Sequence, residues 1–372
     1  MKYYIIAGER SGDLHGSNLI KAIKRHDQDA QIRAWGGDMM QEAGAQLVTH
    51  YSEMAFMGFW EVAKNLRTIS GFLKKCKADI LAYQPDVVIL IDYAGFNMRI
   101  AEFAKENNIR TFYYISPKVW AWNQKRALKL KRYVDRLFVI FPFEKDFFKK
   151  FDYETDYVGN PLFDAIADFR PNPRFLSDHH LSATRPIVAL LPGSRRQEVE
   201  QMLQLMTSTK PHFPDYQYVI AGVSNLPSEL YNPFLKNDVH LVTDAAYDLL
   251  SVAQGALVTS GTATLETALF GVPQVVCYKT AALSYHIAKR LIRVPYISLV
   301  NLIAQKEVVK ELIQSDLNTE RLTEELRAIL PNGLKHKEIQ KDYQNIKAIL
   351  GEQGASERAG KLMVDDLLAH NK

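Results

Sequence analysis

Long apolar runs are missing from this 372-residue chain. No stretch approaches the roughly 20 apolar residues that a membrane-spanning helix needs, so the pattern excludes a transmembrane reading. The opening residues read as a strand from Tyr3 rather than as the basic, apolar and small-residue zones of a signal peptide. A cytoplasmic protein is expected. An excess of charge of one sign is also lacking: 46 Lys and Arg against 42 Asp and Glu leave a net +4, so no nucleic-acid partner is expected. Cysteine is scarce. Cys76 and Cys277 sit in apolar contexts without metal-like or redox-like spacing and read as buried thiols of a reducing compartment. Neither GxGxxG nor GxxxxGK[ST] occurs, which removes the dinucleotide and P-loop readings. No histidine pair has convincing ligand spacing. The one DxD, Asp27-Gln28-Asp29, falls between the first helix and the next strand, at the wrong sheet edge for a site. No metal and no other cofactor is expected.

What is present is an alternation of short apolar runs and helical patterns, with 47% apolar residues, enough for two cored domains. In the first half, strands are expected at 3–7, 31–35, 86–91, 110–115 and 134–140, with helical stretches at 14–25, 60–82 and 97–107. Near-continuous Val/Ile/Leu runs between helices mark a parallel sheet covered on both faces. A second series follows at 187–195, 218–222, 239–243, 255–262 and 273–279, and the charged tail from 306 shows no strand signal. The expected organisation is α/β: a Rossmann-like domain over 1–165, a proline-rich linker at 166–185, a second Rossmann-like domain over 186–330, and a helical tail at 331–372 able to pack back on the first domain.

ALLPGSRRQEV carries the sharpest anion signal. A strand ends at Leu191, Pro192-Gly193 turns the chain, and Ser194 is placed to cap a helix from about Arg195. Free N–H groups at a helix start favour an anion, and an arginine there adds a bidentate donor, so Arg195 is the candidate for a diphosphate. SGTATLE repeats the logic with Ser260, Gly261 and Thr262, and Glu266 one turn on suits a ribose diol. Solvated arginines on a plain turn, and a glutamate paired with a helix dipole, are the structural readings of the same residues.

Asp92 follows the run DVVILI, at the carboxyl edge where open parallel sheets bind ligands. It is a candidate general base, with helix capping by Asp92 or Asn97 as the alternative. The opening loop GERSGDLHG reaches the same edge with Glu9, Ser11, Gly12 and Asp13. Acids beside glycines suit a neutral polyhydroxyl acceptor rather than a polyphosphate. For Asp13 the alternative is a cap on the helix that follows.

Aromatic and basic residues mingle in YYISPKVWAWNQKRALKLKRYVDR (113–136), including Lys118, Trp120 and Trp122, and again in SYHIAKRLIRVPYISLVNLIA (284–304). Such mixtures suit a membrane surface, though they also pack in ordinary cores. MAFMGFW (54–60) is a candidate acyl groove or core segment.

GERSGD, WGGDMM, MGFWEV, IDYAGFN, YYISPKVWAW, FPFE, YVGNPL, LLPGSRRQEV, SGTATLE and VNLIAQKEVV run in order from residue 8 to 309. Together they resemble the lipid-A-disaccharide synthases, inverting glycosyltransferases of the GT-B fold, in which two Rossmann-like domains face a cleft. The resemblance implies that UDP-2,3-diacylglucosamine donates its sugar to 2,3-diacylglucosamine 1-phosphate (lipid X), giving a β-1,6-linked disaccharide 1-phosphate and UDP. It implies an essential acid at Asp92, a PGSR arginine at Arg195, a GE glutamate at Glu9 and a donor-side asparagine at Asn301. It also implies peripheral contact with the inner face of the cytoplasmic membrane, with homo-oligomers left open. The chain departs from the family pattern at Ala94 and Gly95, where a second aspartate is usual in the motif, at Asn160, where histidine is common, and at Val300 before Asn301. UDP-sugar 2-epimerases share the architecture, and an epimerase or a non-catalytic UDP-lipid binder are the competing readings.

Overall fold

The computed structural model describes residues 1–54, 66–121, 123–280, 285 and 294–370. Two compact units are present. The first comprises Met1–Asp164 with Leu350–Lys372, and the second Ala165–Ile349.

In the first unit the strands are β1 (Lys2–Ala7), β2 (Gln31–Gly36), β3 (Gln46–His50), β4 (Val87–Ile91), β5 (Arg110–Tyr114), β6 (Arg136–Val139) and β7 (Asp156–Tyr157). All pair in parallel, in the order β3-β2-β1-β4-β5-β6-β7. The principal helices are α1 (Arg10–His26), α2 (Asp38–Glu42), α3 (Leu66–Tyr83), α4 (Ala94–Glu106), α5 (Arg126–Tyr133) and α6 (Pro142–Lys149). Every residue of β4, VVILI, is buried because helices cover both faces of the sheet. Each such side chain contributes about 1.5–3 kcal/mol by leaving water.

The chain's last helix, residues Ala355–His370, belongs to this unit and packs along α1. Ala359, Met363, Val364 and Leu367 enter the same core as Leu19, Ile20 and Ile23. The approach is close: a Cβ on Gly360 would lie 2.7 Å from that of Ala22. Asp164 caps this helix, accepting from the backbone N–H groups of Gly354 (2.6 Å) and Ser356 (3.0 Å). Asp366 receives Arg110 and Arg136.

The second unit holds β8 (Ile187–Leu191), β9 (Gln217–Gly222), β10 (Val239–Thr243), β11 (Gly255–Thr259), β12 (Gln274–Tyr278) and β13 (Glu311–Ile313), parallel in the order β10-β9-β8-β11-β12-β13. Its principal helices are α7 (Arg196–Ser208), α8 (Ala246–Val252), α9 (Thr262–Leu269), α10 (Leu299–Ala304), α11 (Thr319–Ile329) and α12 (His336–Leu350). The closing helix Ala355–His370 is α13.

The expected pair of Rossmann-like parallel sheets is therefore found, with three departures. Residues 166–185 are part of the second unit, because Phe175 and Leu181 bury in its core and the Gln217 side chain bonds Ser182 on both sides of its amide. Residues 331–349 belong there too, since α12 buries Tyr343 against the amide of Gln274. The charged tail also contains a strand, β13, a three-residue edge too short to show as a period.

Candidate active site

Both sheets reverse strand order at one place, β1/β4 in the first unit and β8/β11 in the second. Open parallel sheets bind ligands beyond the carboxyl ends of such strands.

At the first switch point, α1 begins at Arg10, four residues ahead of the expected Leu14, with Glu9 as an extended N-cap residue. A Cβ on Gly8 would lie 2.3 Å from the Tyr93 ring, so any side chain there would force that ring to move. Across from it, Asp92 (φ 43°) and Tyr93 (φ 48°) are both left-handed, an unfavourable backbone for side-chain-bearing residues. Side-chain bonds from two buried residues hold this turn. Asn97 Nδ2 donates to the carbonyls of Ile91 (3.1 Å) and Asp92 (2.8 Å), and the Tyr113 hydroxyl donates to the Asp92 carbonyl at 2.5 Å. Asn97 thus anchors the end of β4 from inside α4 rather than capping that helix.

Gly8, Glu9, Ser11, Gly12, Ile91, Asp92 and Tyr93 line one shallow pocket at this sheet edge. The half-buried Asp92 carboxyl is pushed above the ordinary aspartate range by burial, with Glu9 adding to the rise and Lys118 and the Tyr93 backbone opposing it. A carboxylate of raised basicity beside a polar pocket is suited to accept a proton from a hydroxyl.

Asp13 does not line this pocket. It is 2% exposed and accepts from the backbone N–H groups of Gly37 (2.7 Å), Met39 (3.2 Å) and Met40 (3.1 Å). The acceptor-side expectation for Asp13 is corrected: its carboxylate caps α2, and it lies inside α1 rather than at its start.

At the second switch point, Gly193 turns with φ 102°, and its Cβ position lies 3.8 Å from Thr259 at the end of β11, so the PGSR and SGT loops adjoin. Arg195, not Ser194, is the N-cap residue of α7, and no side chain caps that helix. The Arg195 side chain is 81% exposed and pairs with Glu198 at 3.2 Å. Gly261 is the N-cap residue of α9, with nothing within 4 Å of its Cβ position, and Thr262 is exposed. Ser260 Oγ is turned inward to the Ile297 carbonyl. Glu266 accepts from the Tyr247 hydroxyl at 2.8 Å, and its carboxyl is raised by burial against that bond.

Asn301 is corrected as well. It is fully buried: Nδ2 donates to the Val309 carbonyl and Glu311, and Oδ1 accepts from the N–H groups of Val308 and Val309. With two donors and two acceptors occupied, the amide braces α10 against β13 and has no capacity left for a ligand.

Trp120, expected at a lipid surface, is 5% exposed with its indole N–H bonded to Glu144. Basic residues remain exposed along α5 around a half-exposed Leu128. Trp122, residues 55–60 of the acyl-groove stretch, and 284 with 286–293 of the second basic stretch lie outside the described residues. Among the described residues, no helix is long and apolar enough to cross a membrane, and no cluster of His, Cys, Asp or Glu is arranged to hold a metal ion. Asp27 of the DxD receives the Met1 ammonium and the Tyr3 hydroxyl.

The family profile described as lipid-A-disaccharide synthetase matches residues 3–364. The chain belongs to the lipid-A-disaccharide synthetase family. It is 39% identical over 363 residues to the lipid-A-disaccharide synthase of Syntrophus aciditrophicus, covering 95% of each chain. It is 36% identical over 370 residues to the enzyme of that name from Geobacter sulfurreducens, covering 98% of this chain and 96% of the relative. Solved structures share the fold at 13% identity. A UDP-GlcNAc 2-epimerase from Neisseria meningitidis superposes with TM-score 0.69 over 99% of this chain and 100% of its own. The glycotransferase of kitacinnamycin does so with TM-score 0.70 over 98% and 99%. The family resemblance read from the motifs therefore holds along the whole chain, and the fold alone does not separate transferase from epimerase.

Two features escaped the motif reading. Tyr113 braces the Asp92 turn, yet it reads as one more apolar strand residue. Lys118 counts in sequence as one cation of a basic stretch, whereas its charge bears on Asp92.

Proposed function

We propose that this protein is the glycosyltransferase that joins UDP-2,3-diacylglucosamine to 2,3-diacylglucosamine 1-phosphate, forming the β-1,6-linked disaccharide 1-phosphate and UDP. The family membership carries the reading. The placement of Asp92 in a polar pocket with Glu9, Ser11 and Gly12 supports its use here.

In the proposed step, a hydroxyl of the acceptor sugar attacks the donor's anomeric carbon from the face opposite UDP. The new C–O bond forms as the bond from that carbon to the diphosphate oxygen breaks, and UDP leaves with the electron pair. Asp92 takes the hydroxyl proton, and configuration inverts without a covalent enzyme intermediate. Arg195 and the starts of α7 and α9 balance the charge that grows on the leaving diphosphate, with Ser194, Gly261 and Thr262 at that loop pair. Glu266 holds the ribose. Water must be kept from the donor during this step, because hydrolysis competes.

The lipid substrates imply work at a membrane surface, and the exposed cations of α5 around Leu128 suit the anionic inner leaflet. Mixing the pure protein with both diacylglucosamine substrates tests the reading: a disaccharide 1-phosphate and one UDP per turnover are expected. Free UDP without disaccharide, or 2-epimerised sugar from UDP-N-acetylglucosamine alone, would sink it.

A further inference from the structure

Glu144 is a carboxylate with more partners than its helix needs. It is 1% exposed. Its Oε2 accepts from the backbone N–H groups of Ile140 (3.0 Å) and Phe141 (2.9 Å), which closes the start of α6. A capping residue would stop there and leave its other oxygen to water. Instead Oε1 accepts from Ser116 Oγ at 2.5 Å and from Trp120 Nε1 at 3.2 Å, both side chains themselves buried. Sinking a carboxylate this far is costly unless its lone pairs are filled, and here four donors fill them.

The second pair of bonds brackets one residue. Ser116 and Trp120 stand two positions before and two after Lys118, which is exposed. The segment leaves β5 through Ile115, whose φ of 63° is unfavourable for a β-branched residue. It then turns tightly, with the Val119 N–H on the Pro117 carbonyl and the Ala121 N–H on the Lys118 carbonyl. Because β5 is the neighbour of β4, this clamped turn stands beside the strained Asp92 turn, and Tyr113 and Tyr114 of β5 bond the Asp92 backbone directly. The Lys118 charge acts on Asp92, opposing the burial that disfavours its ionised form.

We propose that Lys118 and Glu144 are positioning residues of the Asp92 site: Glu144 clamps the 116–120 segment, and the clamp presents the Lys118 ammonium to the Asp92 carboxylate. Glu9 from the start of α1 and Tyr93 from its own turn share the pocket with Asp92, Tyr113 of β5 bonds its carbonyl, and the charge of Lys118 in the clamped segment reaches it from the neighbouring turn. Among the described residues that act on Asp92, Lys118 supplies a positive charge, and that charge favours the ionised base. The inference rests on the proposed role of Asp92 as base.

The test is the pH dependence of kcat/KM for the full chain with both diacylglucosamine substrates, in the parent, Lys118→Met, Lys118→Arg, Glu144→Gln and the Met/Gln double variant. Lys118→Met is expected to move the acid limb to higher pH, losing about threefold to tenfold at a pH on that limb. Lys118→Arg is expected to restore the limb. Glu144→Gln is expected to move it the same way as Lys118→Met and to add no further movement in the double variant. A limb that stays in place in Lys118→Met, or a Glu144→Gln loss uniform across pH, would overturn the proposal. Since Lys118 is exposed, its two variants keep the test decisive even if Glu144→Gln misfolds. Asp92→Asn separates the two levels: turnover retained there fails the base assignment itself, whereas an inactive Asp92→Asn beside an immobile limb fails only the role of Lys118.

Discussion

The Tyr113 hydroxyl donates to the Asp92 carbonyl at 2.5 Å, tying the end of β5 to the left-handed turn that follows β4. Strained backbone persists only where its surroundings over-determine it, and here a buried phenol and a buried amide do so together. Tyr113→Phe is therefore expected to cost only about 1 kcal/mol of stability, the net worth of one hydrogen bond. Because the turn aims the carboxylate, kcat is expected to fall about tenfold or more. Urea unfolding beside steady-state kinetics checks this, and a loss of stability without a loss of kcat would contradict it.

Asp13→Ala removes the acceptor for three backbone N–H groups at the start of α2. At about 1–3 kcal/mol for each buried group left unpaired, a loss on the order of 3 kcal/mol is expected, with activity recovering wherever the fold does. An unchanged urea midpoint with weakened acceptor binding would return Asp13 to the ligand site.

Arg195→Ala should leave the fold within about 0.5 kcal/mol of the parent, since an exposed side chain with one surface partner contributes little. Calorimetric titration with UDP should show affinity reduced about tenfold or more, the worth of a charge-assisted hydrogen bond. Unaltered affinity would remove Arg195 from the diphosphate site.

The motif order exposed the fold class, the two βα series and the positions of Asp92 and Arg195, because buried parallel strands announce themselves as apolar runs such as VVILI. The helix boundary at Arg10 and the strand β13 were not legible. The glycines and acids of GERSGD mask a helical turn, and three residues at a sheet edge carry no period. The errors over Asp13 and Asn301 share one cause. A polar residue in a family motif is equally compatible with a ligand and with a cluster of backbone N–H groups, and only the folded chain reveals which has taken its oxygens. The linker was misplaced because prolines around 171–173 suggested a break, while Phe175 and Leu181 on either side of the following turn bury in the second unit's core.

Burial holds Asp92 above the ordinary aspartate range, so the folded protein keeps that proton to a higher pH than the unfolded chain does. The associated stability is complete below the unfolded value, about 3.9, and is lost as pH rises through the raised folded one. Asp92→Asn escapes this loss. Its Tm is expected to exceed the parent's at neutral pH, with the gap shrinking as pH falls toward 4 or so. Thermal denaturation across pH checks the sign, and a variant no more stable than the parent at neutral pH would contradict it.

The same substitution examines the central assignment most directly. Disaccharide formation and UDP affinity measured side by side for Asp92→Asn should give turnover reduced by about a thousandfold or more, within or beyond the usual span of a lost general base, with UDP bound as in the parent. Turnover within a few-fold of the parent would contradict the account and move the base elsewhere.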